Sequence, residues 1–242
     1  VASYLISDLH LDESRPDITR AFFDFLKGPA AGADALYILG DFFEVWIGDD
    51  DDAPLIEQVA QQLHAYSQSG PALYLMHGNR DFLLGEDFAL RCGATLLPDP
   101  SVVELAGKPV LLMHGDSLCT RDQEYMAFRQ QARNPAWQQV LLSKSLEERR
   151  QIAEQIRAAS KSMNSLKAED IMDVTPEEVV KALAEHNCDT MIHGHTHRPH
   201  RHQLTVNGQA AERLVLGDWG THGWSIKADE NGLELIHWPI TP

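Results

Sequence analysis

Near the C-terminal end of the chain, Ile192-His193-Gly194-His195-Thr196-His197 carries His195 and His197 two residues apart. Near its start, Ser7-Asp8-Leu9-His10 carries Asp8 and His10 at the same spacing. In extended backbone, side chains two apart point to the same side. Each pair therefore aims two ligand atoms at one point. Two such forks at opposite ends of the sequence constrain the chain to a fold that brings its strand ends together around metal.

The stretches between the forks supply those strands. Residues 2–7 read as a short buried strand. Residues 17–27 have helical spacing, with Phe22, Phe23 and Leu26 on one face. A second strand at 35–39 stops at Gly40-Asp41. A helix at 54–68 starts with proline in its first turn. A third strand at 72–76 stops at Gly78-Asn79. Residues 102–105 and 110–113 form a hairpin across Gly107-Lys108, and its second strand ends at His114-Gly115-Asp116. This alternation predicts an α/β sheet system.

From 118 to 185 the pattern becomes helical. That segment holds ten of the chain's 20 Lys and Arg against eleven acids, so it is nearly neutral in a chain of formal charge −16. It reads as an insertion. Strands return at 190–193, 202–206, 214–216, 224–228 and 233–237. The expected organisation is a core of residues 1–117 and 186–242, with a helical cap at 118–185. The run Asp49-Asp50-Asp51-Asp52 is expected to be a solvated loop and helix N-terminus, where carboxylates suit the dipole.

The charge argues against nucleic-acid binding. A strongly acidic chain is a poor ligand for nucleic acid, which wants a basic surface. A small anionic substrate stays compatible, because bound metal inverts the local charge. Cys92, Cys119 and Cys188 lack metal-ligand spacing and read as reduced thiols. No run approaches the roughly 18 apolar residues of a membrane-spanning helix. No signal-peptide pattern is visible, so a cytosolic location is expected.

Five short segments fall at the expected strand ends: Asp8-Leu9-His10, Gly40-Asp41, Gly78-Asn79-Arg80-Asp81, His114-Gly115-Asp116 and Gly194-His195-Thr196-His197. Sites in α/β sheets gather at such carboxyl ends. The five in this order resemble the calcineurin-like metallophosphoesterases, over the chain outside the insertion. The resemblance implies an α/β fold, a β-sandwich flanked by helices, around two metal ions. Asp8, His10, Asp41 and His197 would hold one. Asp41, Asn79, His114 and His195 would hold the other, with Asp41 bridging. Imidazole, carboxylate and amide oxygen suit Mn²⁺, Fe or Zn²⁺ better than Ca²⁺ or Mg²⁺. Two carboxylates against two divalent ions leave net positive charge for a phosphate, and paired ions can share a hydroxide nucleophile.

The other candidates carry less. His77 and His193 are strand residues or partners standing behind ligands. His200 and His202 read as surface residues, His222 as able to orient a ligand, and His64, His186 and His237 as structural. Asp81 and Asp116 are either carboxylates supporting ligand histidines or plain turn residues.

Arg80 narrows the chemistry. Many members of that family carry histidine after the asparagine, to protonate the leaving oxygen. An arginine with pKa above about 12 cannot release its proton usefully. It can grip phosphate with two donors. A sugar or serine alkoxide leaves poorly without an acid, whereas a phosphate leaves as a stable anion. Arg80 therefore favours cleavage of a phosphoanhydride, with the guanidinium stabilising charge. Together with Ile6-Ser7-Asp8-Leu9-His10-Leu11, Gly78-Asn79-Arg80-Asp81-Phe82 and Gly40-Asp41-Phe42-Phe43-Glu44-Val45-Trp46-Ile47-Gly48-Asp49-Asp50, it resembles those family members that hydrolyse UDP-2,3-diacylglucosamine in lipid A biosynthesis. That resemblance runs nearly end to end. It implies water attack on the α-phosphorus, yielding UMP and 2,3-diacylglucosamine 1-phosphate (lipid X). Asp41, Arg80 and His195 would be catalytic, and two Mn²⁺ the usual metals. The partners would be a lipid-linked UDP-sugar and the cytoplasmic face of the inner membrane, bound peripherally, with no nucleic acid and no obligate protein partner.

In the insertion, Ser160, Asn164 and Lys167 fall at i, i+4 and i+7, beside Arg157 and Lys161, while Ile152, Ile156 and Met163 lie largely on another face. The resemblance implies substrate contacts from Asp122, Ser160, Asn164 and Lys167, with Asn79, Arg80 and His195. Asp122 also suits a helix N-cap. Phe82, Tyr125, Phe128 and Arg157 are candidates for an acyl-chain groove, with Met126 and Ile171. Packing of the insertion onto the core is the alternative for each. Trp137, Val140, Leu141 and Leu142 form an apolar group that suits an interfacial segment. The competing functions are a pyrophosphatase for another nucleoside diphosphate conjugate and a non-catalytic scaffold on the same fold. A scaffold is expected to lose ligands, and here all seven positions are filled.

Overall fold

The computed structural model describes all 242 residues. In chain order its elements are β1 (Ser3–Ile6), α1 (Pro16–Lys27), β2 (Ala35–Leu39), α2 (Pro54–Gln68), β3 (Ala72–Met76), α3 (Glu86–Cys92), β4 (Thr95–Leu96), β5 (Ser101–Leu105), β6 (Lys108–Leu112), a 3-10 turn (Asp116–Leu118), α4 (Gln123–Ala132), α5 (Pro135–Leu142), α6 (Leu146–Asn164), α7 (Glu169–Met172), α8 (Pro176–Glu185), β7 (Thr190–His193), β8 (His200–Val206), β9 (Gln209–Val215), β10 (His222–Asp229) and β11 (Gly232–Pro239). The strands form a six-stranded sheet, β11-β10-β1-β2-β3-β4, and a five-stranded sheet, β5-β6-β7-β9-β8.

Alternation along the central strands builds three apolar layers. Tyr4 and Ile6 of β1, Leu36 and Ile38 of β2, and Leu73 and Leu75 of β3 face α1, α2 and α3, joining Phe22, Phe25, Val59, Leu63 and Phe88. Leu5, Tyr37, Leu39 and Met76, from the same strands, turn the other way. They meet Val110, Leu112, Ile192 and Leu214 of the second sheet between the two sheets. Leu111 and Met191 face outward from that sheet onto Val179 and Leu183 of α8. The expected two-sheet sandwich flanked by helices is what forms. β1, β2, β3 and β4 run parallel, as do β6, β7 and β9.

The sequence reading missed α3 and β4, which are too short to show a period. It also shortened β9, whose outer half pairs with β8 across Asn207-Gly208. Both turn residues have positive φ, as a two-residue hairpin with the right twist requires.

One expectation holds in part and one fails. The acidic run is a loop leading into α2, with Asp50 and Asp52 59% and 79% exposed, but it is not free. Asp49 accepts from Trp46 Nε1 and from the backbone N–H of Gly85 and Phe88. Asp50 accepts from both terminal nitrogens of Arg149, at 2.6 and 3.0 Å, while Asp51 and Asp52 accept from Arg150. The run is a clasp on the first turns of α6, which begins with Ser145 capping the Glu148 N–H. Nor is the apolar group of α5 an interfacial face. Leu141 is in the core layer under α1–α3, with Trp137 and Leu142 packed against it, and only Val140 is strongly exposed. No helix is long and apolar enough to cross a membrane.

Candidate metal centre

The segments that follow β1, β2, β3, β6 and β7 meet at one end of the sandwich, because these strands of both sheets deliver their carboxyl ends there. The backbone turns hard at each delivery. Of eight non-glycine residues with positive φ, five are candidate ligands: Asp8 (56°), His10 (48°), Asp41 (49°), His195 (70°) and His197 (57°). Such conformations cost about 1–3 kcal/mol each and persist where the surroundings over-determine them. The surroundings are tight: a Cβ on Gly78 would overlap the Asp41 carboxylate.

Two groups of ligand atoms result: Asp8, His10 and His197 in one, Asp41, His114 and His195 in the other. In the first, Nε2 of His10 lies 3.2 Å from Nε2 of His197, and the two nitrogens are 3.7 and 3.4 Å from Asp8 Oδ1. Asp8 Oδ2 accepts from Ser7 and from the His195 N–H, but Oδ1 is buried with no partner. In the second, Asn79 Oδ1 is 2.9 Å from both His114 Nε2 and His195 Nδ1. Asp41 joins the groups through one atom. Its Oδ2 lies 3.8 Å from His10 Nε2 and 3.6 Å from His114 Nε2, while Oδ1 accepts the Arg80 N–H.

These residues fit a pair of cations. His114 Nδ1 donates to the Leu39 carbonyl at 2.7 Å, which leaves a lone pair on Nε2 of a neutral ring. That lone pair points at the Asn79 oxygen, and two acceptors cannot face each other at that distance without a cation between or a proton added. Two buried carboxylates, one with an orphan oxygen, make the same demand. The titration behaviour agrees. Burial alone would lower His10, but the nearby carboxylates of Asp8, Glu44 and Asp41 outweigh it and raise the ring to about 10. Burial likewise opposes His114, and the Asp41 carboxylate prevails, holding it well above the ordinary range. Asp8 is held well below its ordinary value despite burial, by His10 and His197. These shifts mark the same nitrogens and oxygens as places that favour positive charge.

A cavity of about 550 Å³ opens from this cluster and runs under the insertion. His10, Asp41, Asn79, Arg80 and His195 form its metal end. Asp122, Ser160, Asn164 and Lys167 line it from above. Asp122 does two things: it caps α4 at the Tyr125 N–H and pairs with Lys167 at 2.8 Å. Phe82, Tyr125, Phe128 and Arg157 also line the cavity. Tyr125 is anchored, its hydroxyl donating to buried Asp116 at 2.5 Å and its ring 5.6 Å from His195.

The structure departs from the sequence reading in several places. Ile152, Ile156 and Met163 were expected on another face from Ser160 and Asn164, yet all five line the one cavity, because α6 lies lengthwise along it. Met126 lines a separate depression with Arg129 and Arg133, and Met172, not Ile171, reaches the main cavity. Asp81 touches no ligand histidine; it accepts backbone N–H groups of Asp41, Phe42 and Gly78 and so shapes the bridging turn. Asp116 binds Tyr125 and Arg129. His193 is buried against Arg213, and burial pushes it down to about 3. His222 meets His237 edge to face. Trp46, Leu83 and Glu44 line the cavity without having been singled out by spacing.

A mixed two-sheet sandwich with two candidate metal sites at its strand ends is the arrangement of a metal-dependent phosphoesterase. The chain matches the calcineurin-like phosphoesterase family over residues 3–199 and belongs to it. Among curated relatives, it is 59% identical over 235 residues to UDP-2,3-diacylglucosamine hydrolase of Cellvibrio japonicus (strain Ueda107), covering 97% of this chain and 98% of that one. It is 57% identical over 241 residues to the protein of the same name from Marinobacter nauticus (strain ATCC 700491 / DSM 11845 / VT8), covering 99% of each. The counterpart from Stutzerimonas stutzeri (strain A1501) is 58% identical over 228 residues, covering 94% of this chain and 95% of that one.

Proposed function

We propose that the protein hydrolyses the pyrophosphate bond of UDP-2,3-diacylglucosamine, giving UMP and 2,3-diacylglucosamine 1-phosphate in lipid A biosynthesis. The observation that carries this is the continuity of one cavity from the Asp41-centred ligand cluster to an apolar lining of Trp46, Phe82, Phe128, Ile152, Ile156 and Met163. A small soluble nucleotide conjugate has no use for that lining; an acylated sugar diphosphate needs both ends.

Asp8, His10, Asp41 and His197 would hold one ion and Asp41, Asn79, His114 and His195 the other, with Mn²⁺ the favoured metal. When bound, the pair supplies Lewis acidity and an activated water for attack on the α-phosphorus. The chain's own residues do the rest. Arg80, one terminus of the cavity's basic lining, binds the pyrophosphate through its guanidinium and stabilises charge as the bond breaks. His195 contacts the same phosphate. Because the leaving group is a phosphate, no histidine is required at position 80 as an acid. Asp122, Ser160, Asn164 and Lys167 hold the sugar and diphosphate from the cap, residues 118–185, and Phe82, Tyr125, Phe128 and Arg157 border the acyl chains. Two acyl chains confine the substrate to a lipid surface, so the protein works peripherally on the cytoplasmic face of the inner membrane.

Release of UMP from UDP-2,3-diacylglucosamine in detergent micelles tests this. Chelated protein should be inactive and regain turnover with Mn²⁺; a Mn²⁺-loaded protein that leaves the substrate intact would refute the function.

A further inference from the structure

A carboxylate inside a cavity for a pyrophosphate repels its ligand unless it serves the groups that bind it. Glu44 is such a carboxylate, its side chain only 20% exposed. It faces three cationic or ring nitrogens. Oε1 lies 3.7 Å from Nδ1 of His10 and 3.7 Å from Nε of Arg80, and Oε2 lies 3.7 Å from Nη2 of Arg157 on α6. His10 turns its other nitrogen toward Asp8 and Asp41. Arg80 meets Glu44 through Nε, which leaves its two terminal nitrogens without a protein partner. Neither Arg80 nor Arg157 pairs with any other carboxylate.

We propose that Glu44 is a positioning residue that ties together the three parts of the site: metal ligand, phosphate-binding guanidinium and cap. It keeps the His10 proton on Nδ1, so that Nε2 is presented to the metal. It aims the free edge of Arg80 at the phosphate. Through Arg157 it seats α6 on the same charge. This assignment rests on the metal-dependent hydrolase reading above and extends it to a residue outside the seven ligands.

Glu44→Gln is nearly isosteric, removing the charge and exchanging one acceptor oxygen for an amide donor; Glu44→Ala removes both acceptors. Mn²⁺ binding is measured by calorimetry on chelator-stripped protein without substrate, and KM and kcat on UDP-2,3-diacylglucosamine. In Glu44→Gln, one of the two Mn²⁺ sites should weaken about 10-fold and the other stay within about twofold, with a KM about 10-fold higher. Glu44→Ala should weaken the same site by up to about 100-fold. In an Arg80→Ala background the KM effect should shrink to the part carried through Arg157, and the Mn²⁺ effect persist. Wild-type Mn²⁺ affinity at both sites in Glu44→Gln would overturn the proposal, as would a KM effect that adds in full to Arg80→Ala. Glu44→Gln carries the test alone if Glu44→Ala does not fold. The calorimetry needs no substrate, so a wild type that ignores UDP-2,3-diacylglucosamine counts against the proposed function and leaves the Glu44 assignment to be decided by metal affinity.

Discussion

Metal and proton would compete for the same histidine nitrogens at this site, and the sign of that competition is testable. His10 is raised to about 10 and His114 is raised as well. A group whose folded pKa is raised stabilises the fold fully below its unfolded value, about 6.5, and loses that contribution as pH rises through the folded value. Metal-free protein should therefore melt at a lower temperature at pH 9.5 than at pH 7. Mn²⁺-loaded protein should not follow that trend, since metal displaces the protons, and Mn²⁺ should bind more tightly as pH rises from 6 to 8. Parallel melts with and without chelator check this; identical trends would argue against proton and metal competing for the same nitrogens. Arg80 sits beside the cluster without belonging to it. Arg80→Ala should lower kcat by about 10²–10³-fold while elemental analysis finds the metal content unchanged; lost metal would make Arg80 structural. The seven proposed ligands could be named from the chain because each lies in a short string at a strand end that the family resemblance makes recognisable. Glu44 could not, because its partners His10, Arg80 and Arg157 come from three distant segments and no spacing announces them.

At the scale of elements, the cap is held by side chains that read as solvated in one dimension. Arg149 is buried, donates to Asp50, and also serves the carbonyls of Ile47, Leu142 and Lys144. Asp50 is itself 59% exposed, so the pair is partly screened and the backbone contacts matter as much. Arg149→Ala strands those carbonyls, a loss of about 2 kcal/mol that corresponds to a melting temperature roughly 4–8 °C lower for a chain of this size. Thermal unfolding measures it, and a shift under about 1 °C would mean that the clasp does not hold α6. The elements themselves were legible where they were long or strongly apolar: β2, β3 and α2 stand at the residues expected. α3 and β4 were not, since seven and two residues carry no period. The apolar and polar residues of α6 were assigned to different faces because a helix read alone has no orientation. Lying along the cavity, α6 brings Ile152, Ile156, Ser160 and Asn164 to one lining.

On the scale of the whole molecule, two sheets pack so that parallel strands of both end at the same rim, and the helical segment between β6 and β7 roofs that rim. Alternating apolar runs announced an α/β sheet system in advance, and the two-sheet sandwich was what the family resemblance implied. The shape of the roofed cavity depends on packing between Phe82, Phe128 and Trp137, whose rings meet at 6.0–6.3 Å across core and cap, and could not be read in advance. In a chain of charge −16, the proposed pyrophosphate substrate depends on the cluster at the rim, which calls for cations. The central claim is that this arrangement directs water to the α-phosphorus of UDP-2,3-diacylglucosamine. Hydrolysis in ¹⁸O-labelled water, followed by mass spectrometry of both products, tests it most directly. One ¹⁸O should appear in UMP and none in the lipid phosphate; label in 2,3-diacylglucosamine 1-phosphate would contradict it.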